Sequence, residues 1–159
     1  MNEQLIAAYS SQADGLEGTI PGVDGLRKMA LNGFGEQGFP TSKTEDWRYS
    51  DMRRFHKQHF ELADKPAQAD VPEALGETAA RFVFINGRYD EEASDLGDVW
   101  QAISIRPLAN HFMSNEYRVD EIVRGTDGVS LLNTAMMRDG LVLSIPAGIE
   151  IDDPIEIVH

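Results

Sequence analysis

The sequence predicts an α+β fold, and three observations support that assignment. Apolar residues recur at helical spacing through the first 60 residues. Residues 81–85 form a compact run of β-prone side chains, and the Asn86-Gly87 pair that follows is a strong hairpin signal. After Leu141, short apolar segments alternate with turn-forming residues, which indicates a further group of strands.

Two helices are predicted before residue 40. The first shows one face made of Leu5, Ala8, Tyr9 and Gln12, and the second shows a face made of Leu26, Met29, Ala30, Gly33 and Phe34. Asp24 is a suitable N-cap for the second helix, because its carboxylate can accept hydrogen bonds from free backbone amides. Gly38 and Pro40 predict where that helix ends, since proline cannot continue it.

A third helical stretch is expected to follow Ser42, which forms the pattern of a capping box with Glu45 three residues later. A restart at Ser50 is expected within this stretch. Trp47 and Tyr49 are expected to pack the helical region against its neighbour, with their polar tips at the surface. A docking site for a partner is the alternative, because exposed Trp and Tyr are favoured anchors.

Three regions are predicted along the chain: a helical region over 1–62, a linker over 63–80 and a mixed segment over 81–159. The linker is rich in proline, alanine and charge, and it has no apolar period. In the mixed segment, a return strand is expected from Arg88, and residues 99–105 are a candidate for another strand.

Helical stretches are predicted next. Residues 107–113 and 120–124 favour short helices, and residues 127–138 favour a better one with Val129, Leu132, Ala135 and Met136 on one face.

Three short strands are then predicted, over residues 141–145, 149–151 and 155–158. Turn formers separate them, so the pattern fits a meander, a jelly-roll barrel or the first rungs of a β-solenoid. Because the chain ends directly after an apolar strand, we expect a fragment whose last strands can self-associate.

The composition limits the partners and the chemistry. The net charge is −13, and almost all of the excess acid lies after residue 60, so nucleic acid and anionic membranes are not expected partners. Arg48, Arg53, Arg54 and Lys57 form a local basic patch, for which a solvated helix face is the favoured interpretation. There are no cysteines, which excludes a disulfide or a thiolate metal site built from this chain alone. With no long apolar run or secretory signal, a cytoplasmic location is expected.

Catalytic and metal-binding patterns are weak. The sequence contains no Gly-x-Ser-x-Gly elbow, Walker A sequence or Gly-x-Gly-x-x-Gly loop. His56 and His59 have a spacing that can hold a metal, but ordinary surface histidines are favoured. A cupin-like metal enzyme is one alternative, suggested by residues 145–148 and His159, although His159 and His111 lie outside any His-x-His pair. The other alternative is a generic acidic protein-interaction domain.

Three blocks of sequence resemble SufD proteins, in the same order along the chain. Residues 40–50 resemble their Pro-Thr-x-Lys-x-Glu-x-Trp-(Lys/Arg)-Tyr-(Thr/Ser) segment, and residues 84–88 resemble their Val-Asn-Gly-Arg hairpin. Residues 131–155 resemble their succession of Leu-Asn-Thr-Ala, Asp-Gly, Ile-Pro-x-Gly and Pro-Ile. Ser42 and Ser50 depart from the usual basic residue and threonine. The motif residues, expected to be structural or to bind a partner, are Pro40, Lys43, Glu45, Trp47, Arg48, Tyr49, Asn86, Gly87, Asn133, Thr134, Ala135, Asp139, Gly140 and Pro146.

The resemblance implies a non-catalytic scaffold subunit of the Suf machinery, which assembles iron–sulfur clusters. It implies a helical N-terminal region, a right-handed parallel β-helix and a C-terminal helical region, of which this chain would hold the first and the entrance to the second. SufB and the SufC ATPase are the implied partners, with the cluster handled by the complex and ATP bound by SufC. No catalytic, cofactor-binding or metal-binding residue is implied in this chain. The Trp-Arg-Tyr block and the lack of cysteine favour SufD over its cluster-bearing paralogue SufB.

Overall fold

The computed structural model describes residues 3–50, 52–63, 70–108 and 125–159, and for Glu3 and His56 the backbone alone. The chain divides into two compact units, one made of Met1–Leu62 with Asn115–Met137 and the other of Ala63–Ser114 with Arg138–His159. The three α-helices whose bounds fall within the described residues lie in the first unit and the described strands in the second, so the predicted α+β class is confirmed. The region boundaries predicted at residues 62 and 80 stay a prediction.

The helices and strands have the following bounds. The α-helices are α1 (Glu3–Asp14), α2 (Asp24–Gln37) and α3 (Gly128–Ala135). The strands are β1 (Ala80–Ile85), β2 (Arg88–Asp95), β3 (Ser104–Pro107), β4 (Leu141–Ser144) and β5 (Ile155–Val158). Short 3-10 turns cover Glu45–Trp47, Phe55–Lys57 and Val99–Gln101.

The core of the first unit is aromatic. Tyr9 and Phe34 meet edge to face with ring centroids 5.8 Å apart, and Phe34 meets Phe39 in the same way at 5.1 Å. Ala30 and Phe34 of the predicted α2 face are buried, as expected. Met29, also predicted on that face, is 64% exposed. Arg27, which was not predicted on that face, is a buried residue of the same helix.

Arg27 is 2% exposed and joins three parts of the first unit. Its Nη1 donates to the carbonyl of Leu16 at 2.7 Å and to the Asp24 carboxylate at 3.0 Å. Its Nη2 donates to the Thr19 hydroxyl at 3.0 Å and to the carbonyl of Met137 at 2.7 Å. A buried guanidinium is tolerated here because its charge is paired and its donors reach backbone carbonyls.

The end of α2 was predicted correctly and its cap was not. Gly38 follows the helix with φ of 69°, and its amide donates to the carbonyl of Phe34 at 2.7 Å. Asp24, however, lies inside the first turn, and no side chain caps the helix at Val23. The Asp24 carboxylate accepts from the amide of Gly18 and from Arg27 instead, so it fixes the loop before α2.

Residues 41–50 form tight turns where a helix was predicted. Thr44, rather than Ser42, precedes the 3-10 turn, and no side-chain cap is made, so the predicted capping box is wrong. The Thr44 hydroxyl accepts from the amide of Thr41 at 3.2 Å, and the Thr41 hydroxyl accepts from the amide of Lys43 at 3.2 Å. Such local side-chain hydrogen bonds compete with helix formation, and in this segment they favour the turns over a helix.

The second unit contains a three-stranded sheet in the order β2-β1-β5 and a two-stranded antiparallel sheet of β3 and β4. β1 and β2 form the predicted hairpin, with Asn86 and Gly87 at φ of 50° and 71°, as a type I′ turn requires. β5 runs parallel to β1, and in that register Arg81 faces Glu156 with Nε and Oε2 2.7 Å apart. Phe82 and Phe84 are buried beneath this sheet.

Several predicted elements of the second unit differ from the structure. Residues 99–105 hold a 3-10 turn and the start of β3, not one strand. Residues 149–151 are loop, because Pro146 and Gly148 build a turn in which the amide of Ile149 donates to the carbonyl of Pro146. The helices predicted over 107–113 and 120–124 lie almost wholly outside the described residues.

Asp127 caps α3 and gives the fold a testable pH dependence. Its carboxylate accepts from the amides of Val129 and Ser130 and from the Ser130 hydroxyl. These bonds, led by that of the hydroxyl, hold the pKa of Asp127 below its usual value of 3.8. A depressed pKa means that the stabilisation is complete above pH 3.8 and is lost as the pH falls through the lower folded value.

We expect Asp127→Ala to lower the free energy of unfolding by about 1–2 kcal/mol at pH 7, the usual worth of an N-cap. The difference from the wild type should shrink in strongly acidic solution, where the carboxylate is protonated in both folded and unfolded chains. Urea melts at pH 7 and pH 3 measure both effects, with exposed Asp153→Ala as the matched control. A difference that grows on acidification would contradict the capping role.

Candidate partner-docking site

The motif residues predicted from the sequence are distributed over both units. Residues 40–50 lie in the turns that follow α2, and residues 133–135 form the last turn of α3. Asn86 and Gly87 form the β1–β2 turn, while Asp139 and Gly140 precede β4. Pro146 begins the exposed turn after β4.

The later motif residues have structural roles. The Asp139 carboxylate accepts from the amide of Tyr89 at 3.0 Å and from that of Gly140 at 2.8 Å, so it joins β2 to the entrance of β4. The carbonyl of Gly140 accepts from the amide of Leu108 at 2.8 Å. In α3, Ala135 is fully buried and the Thr134 hydroxyl donates to the carbonyl of Ser130. These contacts stabilise the connection that leads into β4 and the last turn of α3.

An apolar groove of about 290 Å³ lies in the first unit, beside the aromatic core. Its lining includes Tyr9, Phe39, Met52, Phe55, Phe60 and Leu132, together with the motif residue Asn133. Burial raises the pKa of the Tyr9 hydroxyl, and the Phe60 backbone offsets part of that rise. Within the described part of the chain, this hydroxyl makes no hydrogen bond of good geometry.

A second, more polar cavity of about 350 Å³ is formed by residues of the first motif block together with Met52 and Arg53. We call it the Pro40 notch, and it is lined by Pro40, Thr41, Ser42, Arg48, Tyr49, Ser50, Met52 and Arg53. Hydroxyls and guanidinium groups therefore share the lining with apolar surface. The side chains of Lys43 and Glu45, also in this block, are exposed beside it.

The backbone around the Pro40 notch is held by its own hydrogen bonds. The amide of Thr44 donates to the carbonyl of Thr41 at 2.9 Å, which closes the first turn. The amide of Ser50 donates to the carbonyl of Trp47 at 2.9 Å, which closes the last. Pro40 is buried and has a fixed φ angle, so the entrance to these turns is also restrained. The notch is thus built from preorganised backbone rather than from a free loop.

The aromatic residues of the block do not pack as predicted. Tyr49 is 95% exposed, and Trp47 is only half-buried. The expected packing of Tyr49 is wrong because turns, not a helix, carry it, and no helical face turns its ring toward the core. An exposed tyrosine beside arginines is the composition that protein interfaces favour.

The basic patch is solvated, as predicted, but it is not a helix face. Arg48, Arg53, Arg54 and Lys57 are all exposed. Arg48 and Arg53 line the Pro40 notch, whereas Arg54 and Lys57 do not. The sequence indicated the charges and could not indicate the notch, because its shape depends on the threonine-bonded turns.

The candidate metal ligands do not converge within the described ranges. His59 lies 3.8 Å from Glu61 and its ring packs beside Tyr9, while the ring of His159 stacks on Phe84 at 5.1 Å. His111 lies outside the described residues. Residues 3–50, 52–63, 70–108 and 125–159 contain no group of three histidine or acidic side chains that could hold a metal ion.

No described helix combines the length and the apolar character that crossing a membrane would require.

Comparison with known proteins gives consistent results. A family model described as the SufBD protein N-terminal region matches residues 1–157. A protein of Synechocystis sp., an iron-sulfur cluster assembly SufBD family protein, is 33% identical over 145 residues, which cover 83% of this chain. The match covers 31% of that relative, so the chain spans about a third of its length.

Proposed function

The chain belongs to the SufBD protein family, and we propose that it acts as a non-catalytic scaffold part of a SufD-type subunit in iron–sulfur cluster assembly. The observation that carries the scaffold role is the exposure of the first motif block. Its Arg48 and Tyr49, with the neighbouring Arg53, surround an open, preorganised notch instead of packing in a core. Such a surface is suited to contacts with another protein.

The proposed partners are SufB and the SufC ATPase. The Synechocystis relative is about three times as long as the segment that this chain matches, and we assign most contacts with SufB and those with SufC to the part beyond that segment. The iron–sulfur cluster is then handled by the complex and ATP by SufC, with no cofactor or metal held by this chain. The proposed location is the cytoplasm.

The strands of the second unit fit the entrance to a right-handed parallel β-helix in this proposal. The parallel pairing of β1 and β5 supplies a first parallel contact between strands that are distant in sequence. The remaining rungs would come from residues outside this chain. Self-association of the isolated chain through β5 remains a prediction of the same hypothesis.

Co-purification tests the proposal. The tagged 159-residue chain and the full reading frame of its gene are each co-expressed with SufB and SufC. We expect the full product to retain both partners in stoichiometric amounts and the 159-residue chain to retain much less. Failure of both products to retain either partner would overturn the scaffold role.

A further inference from the structure

The Pro40 notch is locally basic in a chain whose net charge is strongly negative. The whole chain carries a net charge of −13. Within residues 43–57, however, the five basic residues Lys43, Arg48, Arg53, Arg54 and Lys57 outnumber the three acidic residues Glu45, Asp46 and Asp51. A local positive region in an acidic field concentrates the attraction for anionic groups at one place.

The groups that line the notch are suited to carboxylates. Arg48 and Arg53 supply guanidinium donors, which match the planar geometry of a carboxylate, and Thr41, Ser42 and Ser50 supply hydroxyls. None of the described residues forms an ion pair with Arg48. Tyr49 adds a large exposed ring at the same place, which can cover the aliphatic part of a bound segment.

We propose that the Pro40 notch binds an acidic segment of a partner protein, with carboxylates on Arg48 and Arg53 and an apolar side chain against Tyr49. A volume of about 350 Å³ accommodates a few side chains and not a folded domain. A long polyanion such as nucleic acid would be repelled by the net charge of −13, and this repulsion is smaller for a short peptide. This inference rests on the proposed scaffold function and names the chemistry of the partner at one of its contacts.

Fluorescence anisotropy provides the first test, with the 159-residue chain and a fluorescein-labelled peptide Leu-Glu-Asp-Phe-Glu-Glu-Leu. The matched probe replaces each acid by its amide, Leu-Gln-Asn-Phe-Gln-Gln-Leu. We expect the acidic probe to bind about tenfold more tightly at low salt, and its advantage to fall as salt is added. Equal affinity for the two probes would overturn the proposal.

Two double variants separate the notch from general charge. R48E/R53E alters the notch, and R54E/K57E makes the same change in net charge on exposed neighbours outside it. We expect the first to weaken binding of the acidic probe by about 30-fold and the second by about threefold or less. Equal weakening by both variants would show that the basic patch as a whole attracts the probe, and the notch would be excluded. Melting curves of all variants check that the fold is retained.

Three further measurements complete the test. Tyr49→Ala should weaken the acidic probe about fivefold, as expected for an exposed aromatic anchor. Inorganic phosphate at 10 mM should compete only weakly; full displacement by phosphate would identify a small-anion site instead and overturn the peptide assignment. Because most contacts with SufB and SufC are assigned to the part beyond this segment, failure of the peptide tests together with retention of both partners by the full product would exclude the notch and leave the scaffold function intact.

Discussion

Replacing Arg27 by alanine is expected to lower the free energy of unfolding by about 3 kcal/mol, because it removes a buried guanidinium that donates to four acceptors. The carbonyls of Leu16 and Met137 each lose a donor at 2.7 Å, and the Thr19 hydroxyl loses one at 3.0 Å, although the Leu16 carbonyl still accepts from the Thr19 hydroxyl and amide. The Asp24 carboxylate, 33% exposed, loses its cation. The side chain also fills space among these groups, so water that enters restores only part of the lost bonding.

Two variants test whether the number of bonds, rather than the charge, explains this effect. Arg27→Lys keeps the charge, but a single ammonium cannot reproduce the fork that reaches four acceptors, so most of the loss should remain. Lys28→Ala removes the neighbouring cation, whose ion pair with Glu17 is at the surface. This variant should leave the denaturant concentration at the unfolding midpoint unchanged. Denaturant unfolding of the three variants gives the comparison. A loss below about 1 kcal/mol for Arg27→Ala would show that the network contributes little.

Arg27 also shows where prediction from the sequence reached its limit. Helical period located α1 and α2 and identified Tyr9, Ala30 and Phe34 as core positions, because burial of apolar side chains follows the 3.6-residue repeat. The helical repeat of apolar residues does not predict which arginine is buried, because arginine is polar. Its partners lie 3, 8, 11 and 110 residues away, so only the tertiary fold brings them together.

The Pro40 notch illustrates a second limit. The sequence identified the block that contributes most of its lining, but it predicted a solvated helix face for the charges and packing against the helical region for the rings. A capping box and a threonine-closed turn compete for the same residues, however, and their free energies differ by less than propensity rules can resolve. The hairpin at Asn86-Gly87 was predictable for the opposite reason: its positive φ angles leave few residue types that fit.

Replacing Gly128 by alanine is expected to destabilise the first unit by about 3 kcal/mol or more, as overpacking against backbone does when no side chain can move away. A Cβ atom at Gly128 would overlap the carbonyl oxygen of Gly38 and lie 2.9 Å from its carbonyl carbon. Gly38 is itself constrained, since it ends α2 with φ of 69°. The start of α3 and the end of α2 would therefore have to separate.

Two other glycines of the same unit provide matched controls, because both lie within α2. A Cβ at Gly33 would meet Cδ1 of Leu131 at 3.2 Å, and that flexible side chain can give way, so Gly33→Ala should cost much less. A Cβ at Gly35 would meet nothing within 4 Å, and Gly35→Ala should stabilise the helix by up to about 1 kcal/mol. Thermal and urea unfolding should therefore rank Gly128→Ala lowest, Gly33→Ala next and Gly35→Ala at or above the wild type. Similar midpoints for Gly128→Ala and Gly35→Ala would mean that the close approach of α3 to Gly38 does not hold the unit together.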